Sequence, residues 1–161
     1  MGLADLLRQT ESGEILLTML VAMLPVVELR GAIPIGVSMG LNTWIALGAS
    51  IVGNMIPVPF IIVFIRKIFA FLRSRSERLE RAVSRLENRA MGKSRHVHEY
   101  RFLGLLILVA IPLPGTGAWT GALVAAMMSM RLRNALPAIF VGVVIAGILI
   151  TGITYGFAAI L

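Results

Sequence analysis

Two charged residues, Glu28 and Arg30, stand in the middle of an apolar stretch, residues 15–41, that contains no other ionisable side chain. Pro25 and Pro34 bracket them, so a continuous helix is not expected there. Placing a carboxylate or a guanidinium at bilayer depth costs roughly 2.5–3.5 kcal/mol on insertion scales, so such residues are retained where they pair, face a polar cavity or handle a substrate. Arg30 offers a fixed fork of donors suited to a phosphate, and Glu28 could neutralise it or titrate. The alternative is a buried pair that only locks the local structure.

A second polar interruption lies in the apolar stretch 102–130, where residues 112–117 read Pro-Leu-Pro-Gly-Thr-Gly. Proline removes a backbone donor and glycine adopts positive φ angles cheaply, so a continuous helix is not expected there. A half-helix that begins near Trp119 would direct its N-terminal amides towards the depth of Arg30, which is a ready site for an anion. The indole of Trp119 either stacks on substrate or anchors the hairpin.

Asn54 precedes Pro57 and Pro59 in the next apolar stretch. The two prolines predict a kink, and the Asn54 amide either faces the substrate cavity or serves only packing. The predicted substrate-binding residues are Glu28, Arg30, Pro34, Asn54, Pro112, Pro114, Gly115, Thr116, Gly117 and Trp119.

The composition indicates which elements must position these residues. Hydrophobic residues make up 58% of the chain and charged residues 14%, which is typical of an integral membrane protein. Stretches 15–41 and 102–130 exceed the roughly 20 residues of a simple span and are interrupted in the middle. Non-helical backbone at membrane depth survives only where it is buried in protein or lines a cavity, so both are predicted to be re-entrant hairpins. A transmembrane helix follows each, at 43–67 and 134–160, with close helix contacts predicted at Gly48, Gly53, Gly142 and Gly147. The alternative is four ordinary helices, two of them kinked.

The two apolar halves share one layout. Residues 20–22 (Leu-Val-Ala) match residues 108–110, and Ile-Val-Gly at 51–53 matches Phe-Val-Gly at 140–142 at nearly the same offset. Such a pattern indicates an internal repeat of the kind found in transporters. If each hairpin returns to its side of entry, the halves have opposite orientations. The predicted fold class is therefore an all-α integral membrane protein with an inverted repeat of re-entrant hairpin plus transmembrane helix.

The net charge of +7 is concentrated in the segment that joins the halves. Eleven of the fifteen Lys and Arg residues lie between Arg66 and Arg101, against four Glu. The positive-inside rule places a basic loop, 68–101, on the cytoplasmic side of the cell (inner) membrane, and its apolar flanks argue against nucleic-acid binding. Leucines seven residues apart predict an amphipathic helix over about 72–90, and residues 1–14 are predicted to form a short interfacial helix.

Two segments carry a resemblance to a known family. Residues 28–34 (Glu-Leu-Arg-Gly-Ala-Ile-Pro) and 111–121 (Ile-Pro-Leu-Pro-Gly-Thr-Gly-Ala-Trp-Thr-Gly) resemble the signature segments of the small multidrug export protein family. The similarity covers nearly the whole chain apart from the basic loop, and it implies a transporter. The hairpin layout is also similar, more distantly, to the DedA (VTT-domain) membrane proteins, which are implicated in moving phospholipids or the polyprenyl phosphate carrier. The DedA pattern has arginines in its second hairpin, whereas residues 112–121 contain none.

The primary prediction is a transporter or flippase for an amphipathic anion, such as a lipid or polyprenyl phosphate, bound at the hairpin tips near Arg30. A homodimer is expected because two spans and two hairpins bury little surface. The first alternative is a proton-coupled exporter of cationic amphiphiles that uses Glu28, with Na⁺ as another candidate coupling ion. The second alternative is a non-transporting membrane scaffold whose basic loop binds a partner.

No cofactor or enzymatic activity is predicted, because the sequence contains no Ser/His/Asp set, phosphate-binding loop or nucleotide-binding cassette. Residues 96–99, His-Val-His-Glu, are a weak candidate for a metal site, since the neighbouring basic residues oppose cation binding.

Overall fold

The protein is built of α-helices. A computed structural model describes residues 10–75, 80–85, 97–113 and 115–156, and in these ranges the chain is helical apart from turns, as predicted. The helices are α1 (Glu11–Ala22), α2 (Glu28–Ser38), α3 (Thr43–Met55), α4 (Pro57–Arg75), α5 (Val97–Ala110), α6 (Ala118–Met127) and α7 (Leu132–Tyr155). Residues 80–85 are also helical.

Both predicted interruptions of the long apolar stretches are present. The first separates α1 from α2 at residues 23–27, and the second separates α5 from α6 at residues 111–117. Pro25 lies inside the first break, but the interpretation of Pro34 as its second boundary is wrong, because α2 continues through Pro34. The proline ring costs that helix a single backbone donor, and the packing of α2 against α1 and α3 compensates for the loss.

Within the described ranges, two helical segments are long and apolar enough to cross a membrane. They are Thr43–Leu72, which combines α3 with most of α4, and Leu132–Tyr155, which is α7. The first is interrupted at Ile56, where Pro57 and Pro59 predict a kink, and it continues beyond residue 67. Half of the most apolar part of α7 is buried within the protein, whereas 11% of the corresponding part of Thr43–Leu72 is buried. The α3–α4 helix therefore leaves most of its apolar surface open to lipid or to a partner.

The two halves pack in matching ways. Helix α1 contacts α2 and α3, and α5 likewise contacts α6 and α7. Between the halves, α2 contacts α7 and α6 contacts α4, while α3 and α7 contact each other. In each half, the two helices on either side of the break (α1 and α2, or α5 and α6) thus pack against the membrane-length helix of the same half. The second helix of each pair, α2 or α6, also contacts the membrane-length helix of the other half.

Close helix contacts depend on glycines at equivalent points of the halves. A Cβ atom on Gly53 would overlap the backbone of α1, and one on Gly142 would approach the backbone oxygen of Leu106 in α5. Gly147 faces α2 and α3 in the same way, so these three positions are confirmed as close contacts. The same prediction for Gly48 is wrong, since it lies on an exposed face of α3 with no atom near its Cβ position.

Several predictions fall on residues that the structure does not describe. The interfacial helix lies mostly outside the described residues, as does part of the amphipathic helix predicted over about 72–90. Within that segment, residues 80–85 are helical and Val83 is buried. His96 and the side chains of His98 and Glu99, the weak metal candidate, also lie outside the described part of the chain.

Candidate substrate site at the two helix breaks

The two helix breaks meet where the halves of the protein join. The indole Nε1–H of Trp119, in the first turn of α6, donates to the backbone oxygen of Met23 at 3.1 Å. Arg30, in the first turn of α2, reaches Thr116 in the other break. Residues 86 or more positions apart, such as Arg30 and Thr116, are therefore brought into contact.

The carboxylate of Glu28 lies at the N-terminus of α6. Its side chain is 5% exposed, and its Oε1 atom accepts a hydrogen bond from the backbone N–H of Trp119 at 3.2 Å. The first amides of a helix have no intrahelical partner and carry partial positive charge, so a carboxylate there is stabilised. The anion site predicted near Trp119 is thus occupied by the protein's own Glu28.

The backbone of Glu28 is strained. Its φ angle is +47°, in the left-handed region that a non-glycine residue enters at a cost of about 1–2 kcal/mol. Its backbone N–H donates to the oxygen of Leu24 at 2.9 Å, which closes the turn that leads into α2. Such strain concentrates at functional sites because the surrounding structure must hold it in place.

Gly117 makes the approach of Glu28 to α6 sterically feasible. Gly117 precedes α6, is buried and has a φ angle of +152°. A Cβ atom at this position would overlap the Glu28 carboxylate, whereas one on Gly115, where φ is +83°, would meet no atom. Two glycines of the same break therefore differ in role: Gly115 shapes the turn, and Gly117 makes room for the carboxylate.

Arg30 bonds to Thr116 rather than to Glu28. Its NH2 group donates to the backbone oxygen of Thr116 and, at 3.1 Å, to the Thr116 hydroxyl. That hydroxyl also lies 2.6 Å from the oxygen of Ile111 and 2.8 Å from that of Leu113, so it braces the second break. Among the described residues, the carboxylate of Glu28 and the guanidinium of Arg30 form no hydrogen bond with each other. Each crosses to the other half instead.

We call the contact between the two helix breaks the junction. The remaining predicted residues lie around it without joining the contacts of Glu28 and Arg30. Pro34 is half-buried in α2, one turn beyond Arg30, and Pro112 is half-buried in the second break. Gly115 is exposed, and its backbone oxygen accepts from the Thr120 hydroxyl at 2.8 Å. Pro114 lies outside the described residues.

Asn54 is fully buried in α3, and the structure shows no hydrogen bond from it to the junction. Among the residues that the structure describes, neither polar atom of its amide has a hydrogen-bond partner, and nor does the hydroxyl of the fully buried Ser50 one turn earlier. Sequence reasoning missed Ser50, although its spacing of four residues from Asn54 on an apolar helix was a usable signal. Thr18 and Thr151 are also buried, but their hydroxyls donate to Glu14 and Gly147 of their own helices.

An apolar groove runs beside the junction. It has a volume of about 750 Å³ and is lined by residues of α4 between Pro57 and Lys67 together with Trp119. Phe60 and Phe64 on its wall are 71% and 64% exposed. Trp119 therefore touches both the polar junction, through its N–H groups, and the apolar groove.

Fold and site together define a helical integral membrane protein with a buried polar junction between two similar halves. A family model described as "Putative small multi-drug export protein" matches residues 28–149, and the chain belongs to this family. No curated protein and no solved structure shows a significant match. The matched range begins at Glu28, directly after the first helix break, and includes the whole of the second break. The resemblance to this family, inferred from residues 28–34 and 111–121, is confirmed.

Proposed function

We propose that the chain is a membrane transporter for an amphipathic anion, such as a lipid phosphate or undecaprenyl phosphate, with the anionic group bound at Arg30. The observation that carries this proposal is the different environment of the two charges. The Glu28 carboxylate is buried against α6, whereas the guanidinium of Arg30 is half-buried and, within the described residues, its Nε and NH1 donors make no hydrogen bond. Those donors suit a phosphate oxygen.

The apolar groove supports an amphipathic substrate. Its wall is formed by proline, phenylalanine and branched aliphatic residues of α4, which suit a hydrocarbon chain, and Lys67 also lines it. Trp119 joins the groove to the junction, so a single molecule with a charged head and an apolar tail could contact both.

The proposal includes two re-entrant hairpins in inverted repeat, α1–α2 and α5–α6, in the cell (inner) membrane with the basic loop in the cytoplasm. The matching contacts of the two halves support this topology. The charges near the equivalent turns also support it, since Glu14 lies near the turn between α2 and α3, and Arg131 lies in the turn between α6 and α7. Impermeant thiol reagents test this topology with the variants Asn42→Cys and Arg131→Cys, since the chain has no cysteine of its own. The hairpins require labelling from opposite sides, and four plain spans require labelling from the same side.

A homodimer is part of the same proposal. The tip of the first break is apolar and open, with Leu24 50% and Val26 90% exposed. Leu113 at the tip of the second break is 56% exposed. A second copy would cover such tips at a depth where a single copy leaves backbone turns next to lipid.

The second candidate function is proton-coupled export of cationic amphiphiles through Glu28. The description of the family favours it. Arg30 beside the carboxylate and the helix N-terminus in front of it both oppose a cation at that point. Glu28 is the group that would couple transport to protons or to Na⁺ in either mechanism.

The experiment reconstitutes the whole chain in phosphatidylcholine vesicles and follows two substrates. One is phosphatidylglycerol with a fluorescent label on its acyl chain, read by dithionite quenching, and the other is ethidium under an imposed proton gradient. If an anion binds at Arg30, Arg30→Ala lowers lipid translocation about 10- to 100-fold, which corresponds to a charge-assisted hydrogen bond of 1.5–3 kcal/mol. Arg30→Lys restores it in part, because lysine lacks the bidentate fork.

Arg133→Ala is the matched control, since it removes the same charge from an exposed position at the start of α7. Melting temperatures of all variants show whether loss of transport reflects loss of folding. Ethidium export that fails in Glu28→Gln but survives in Arg30→Ala would favour the cation exporter and contradict the anion proposal. If neither substrate moves and both variants only lower the melting temperature, the junction is structural.

A further inference from the structure

We propose that the protein has a second anion site, at the far end of α6 from the junction, which binds a phosphate group. A cavity of about 380 Å³ lies where α6 turns into α7. It is lined by Arg101, Phe102, Ser129, Met130, Arg131 and Asn134. Two arginines, a serine and an asparagine thus line one cavity, whose volume falls within the roughly 300–1,000 Å³ typical of small-molecule sites. This inference does not depend on the proposed transport of an anion at Arg30.

Two elements hold the arginines at this cavity. The NH1 group of Arg101, in the second turn of α5, donates to the backbone oxygen of Met128 at 3.4 Å, which holds the guanidinium against the end of α6. Ser129 follows with a φ angle of +51°, and this left-handed turn brings Arg131 back beside Arg101. Arg131 is exposed and, in the described part of the chain, its side chain makes no hydrogen bond.

The turn between α2 and α3 in the first half is equivalent to the turn between α6 and α7, but it has no arginine before the next helix. There, Gly40 takes the place of Ser129 with a φ angle of +111°, and Asn42 takes the place of Arg131 before α3. The Asn42 side chain accepts from the backbone N–H of Trp44 at 2.9 Å and so caps α3. Arg131 is a donor only and cannot cap α7 in that way. The turn between α6 and α7 therefore combines two arginines with a helix N-terminus that its own N-cap side chain, Arg131, does not cap.

An anion would complete this arrangement. The first-turn amides of α7 and the guanidinium groups are all donors, and a phosphate offers several acceptor oxygens with the charge that both arginines and the helix N-terminus favour. The cavity lies at the start of a membrane-length helix, so the phosphate of a lipid headgroup and a free phosphate could both reach it. A phosphate group is the chemistry that both sources share.

The test measures binding to the purified full chain in dodecyl maltoside, by melting temperature and by titration. The probes are inorganic phosphate against chloride at equal ionic strength, and dioctanoyl phosphatidylglycerol against dioctanoyl phosphatidylcholine. We expect saturable stabilisation by at least one phosphate probe beyond its control. Response to inorganic phosphate assigns the site to free phosphates, and response to phosphatidylglycerol alone assigns it to lipid headgroups.

Arg131→Gln is the main variant, since Arg131 is exposed and its loss leaves the fold intact; its apparent affinity should fall about tenfold or more. Asn134→Ala, which changes no charge, should also weaken binding. Arg133→Gln is the control, because it removes the same charge from the same helix end outside the cavity. Equal losses in Arg131→Gln and Arg133→Gln, or no saturable response to either phosphate probe, would overturn the proposal.

Discussion

Gly117→Ala should be among the most damaging single-methyl changes in this protein. The new Cβ would overlap the Glu28 carboxylate, and alanine at a φ angle of +152°, in a backbone region that is essentially restricted to glycine, costs about 1–3 kcal/mol in backbone energy. If the carboxylate withdraws, it loses the Trp119 N–H in a buried position, which costs a further 1–3 kcal/mol or so. The expected loss in the free energy of unfolding is therefore about 2–6 kcal/mol.

Gly115→Ala is the matched control. Gly115 also has a positive φ angle, but no atom lies within 4 Å of its Cβ position, so only the backbone cost of about 1–2 kcal/mol applies. Unfolding of both variants can be followed by tryptophan fluorescence during titration with SDS in mixed micelles. In a Glu28→Ala background, the destabilisation by Gly117→Ala should fall to its backbone cost of about 1–3 kcal/mol, because the overlapping group is gone. Equal destabilisation by the two glycine variants with Glu28 present would refute the contact between the halves.

Three further outcomes are expected from the same unfolding measurement. Trp119→Phe removes the hydrogen bond to the Met23 oxygen but keeps an aromatic ring in the groove, so it should destabilise by about 0.5–1.5 kcal/mol. Asn54→Leu replaces a buried amide without partners by an apolar group of similar size and should be neutral or stabilising; a loss above about 2 kcal/mol would mean that the amide is satisfied. Gly53→Ala forces α3 away from α1 and should destabilise by more than about 1 kcal/mol, whereas Gly48→Ala, on the open face of the same helix, should stabilise by about 0.5–1 kcal/mol.

Local sequence features predicted the elements well where backbone chemistry decides them. Pro25 marks the first break, and the Pro-Gly run from residue 112 marks the second, because missing donors and positive φ angles act within one turn of helix. Pro34 was misjudged since its effect depends on whether packing holds the helix together around it. Gly48 and Gly53 show the same limit: both are glycines on α3, and only the position of α1 separates a close contact from an open face.

The candidate site was predicted as a set of residues but not as an arrangement. The sequence by itself determined that Glu28 and Arg30 are out of place in an apolar stretch, that a half-helix begins near Trp119, and that the chain consists of two similar halves. These conclusions follow from hydropathy, charge and helix-breaking residues, which are properties of nearby positions. Only the tertiary structure decided that Glu28 binds the first turn of α6 and that Arg30 binds Thr116, because those partners lie in the other half of the chain. Burial of a carboxylate requires a donor wherever the fold supplies one, and here the packing of one helix break against the other supplies it.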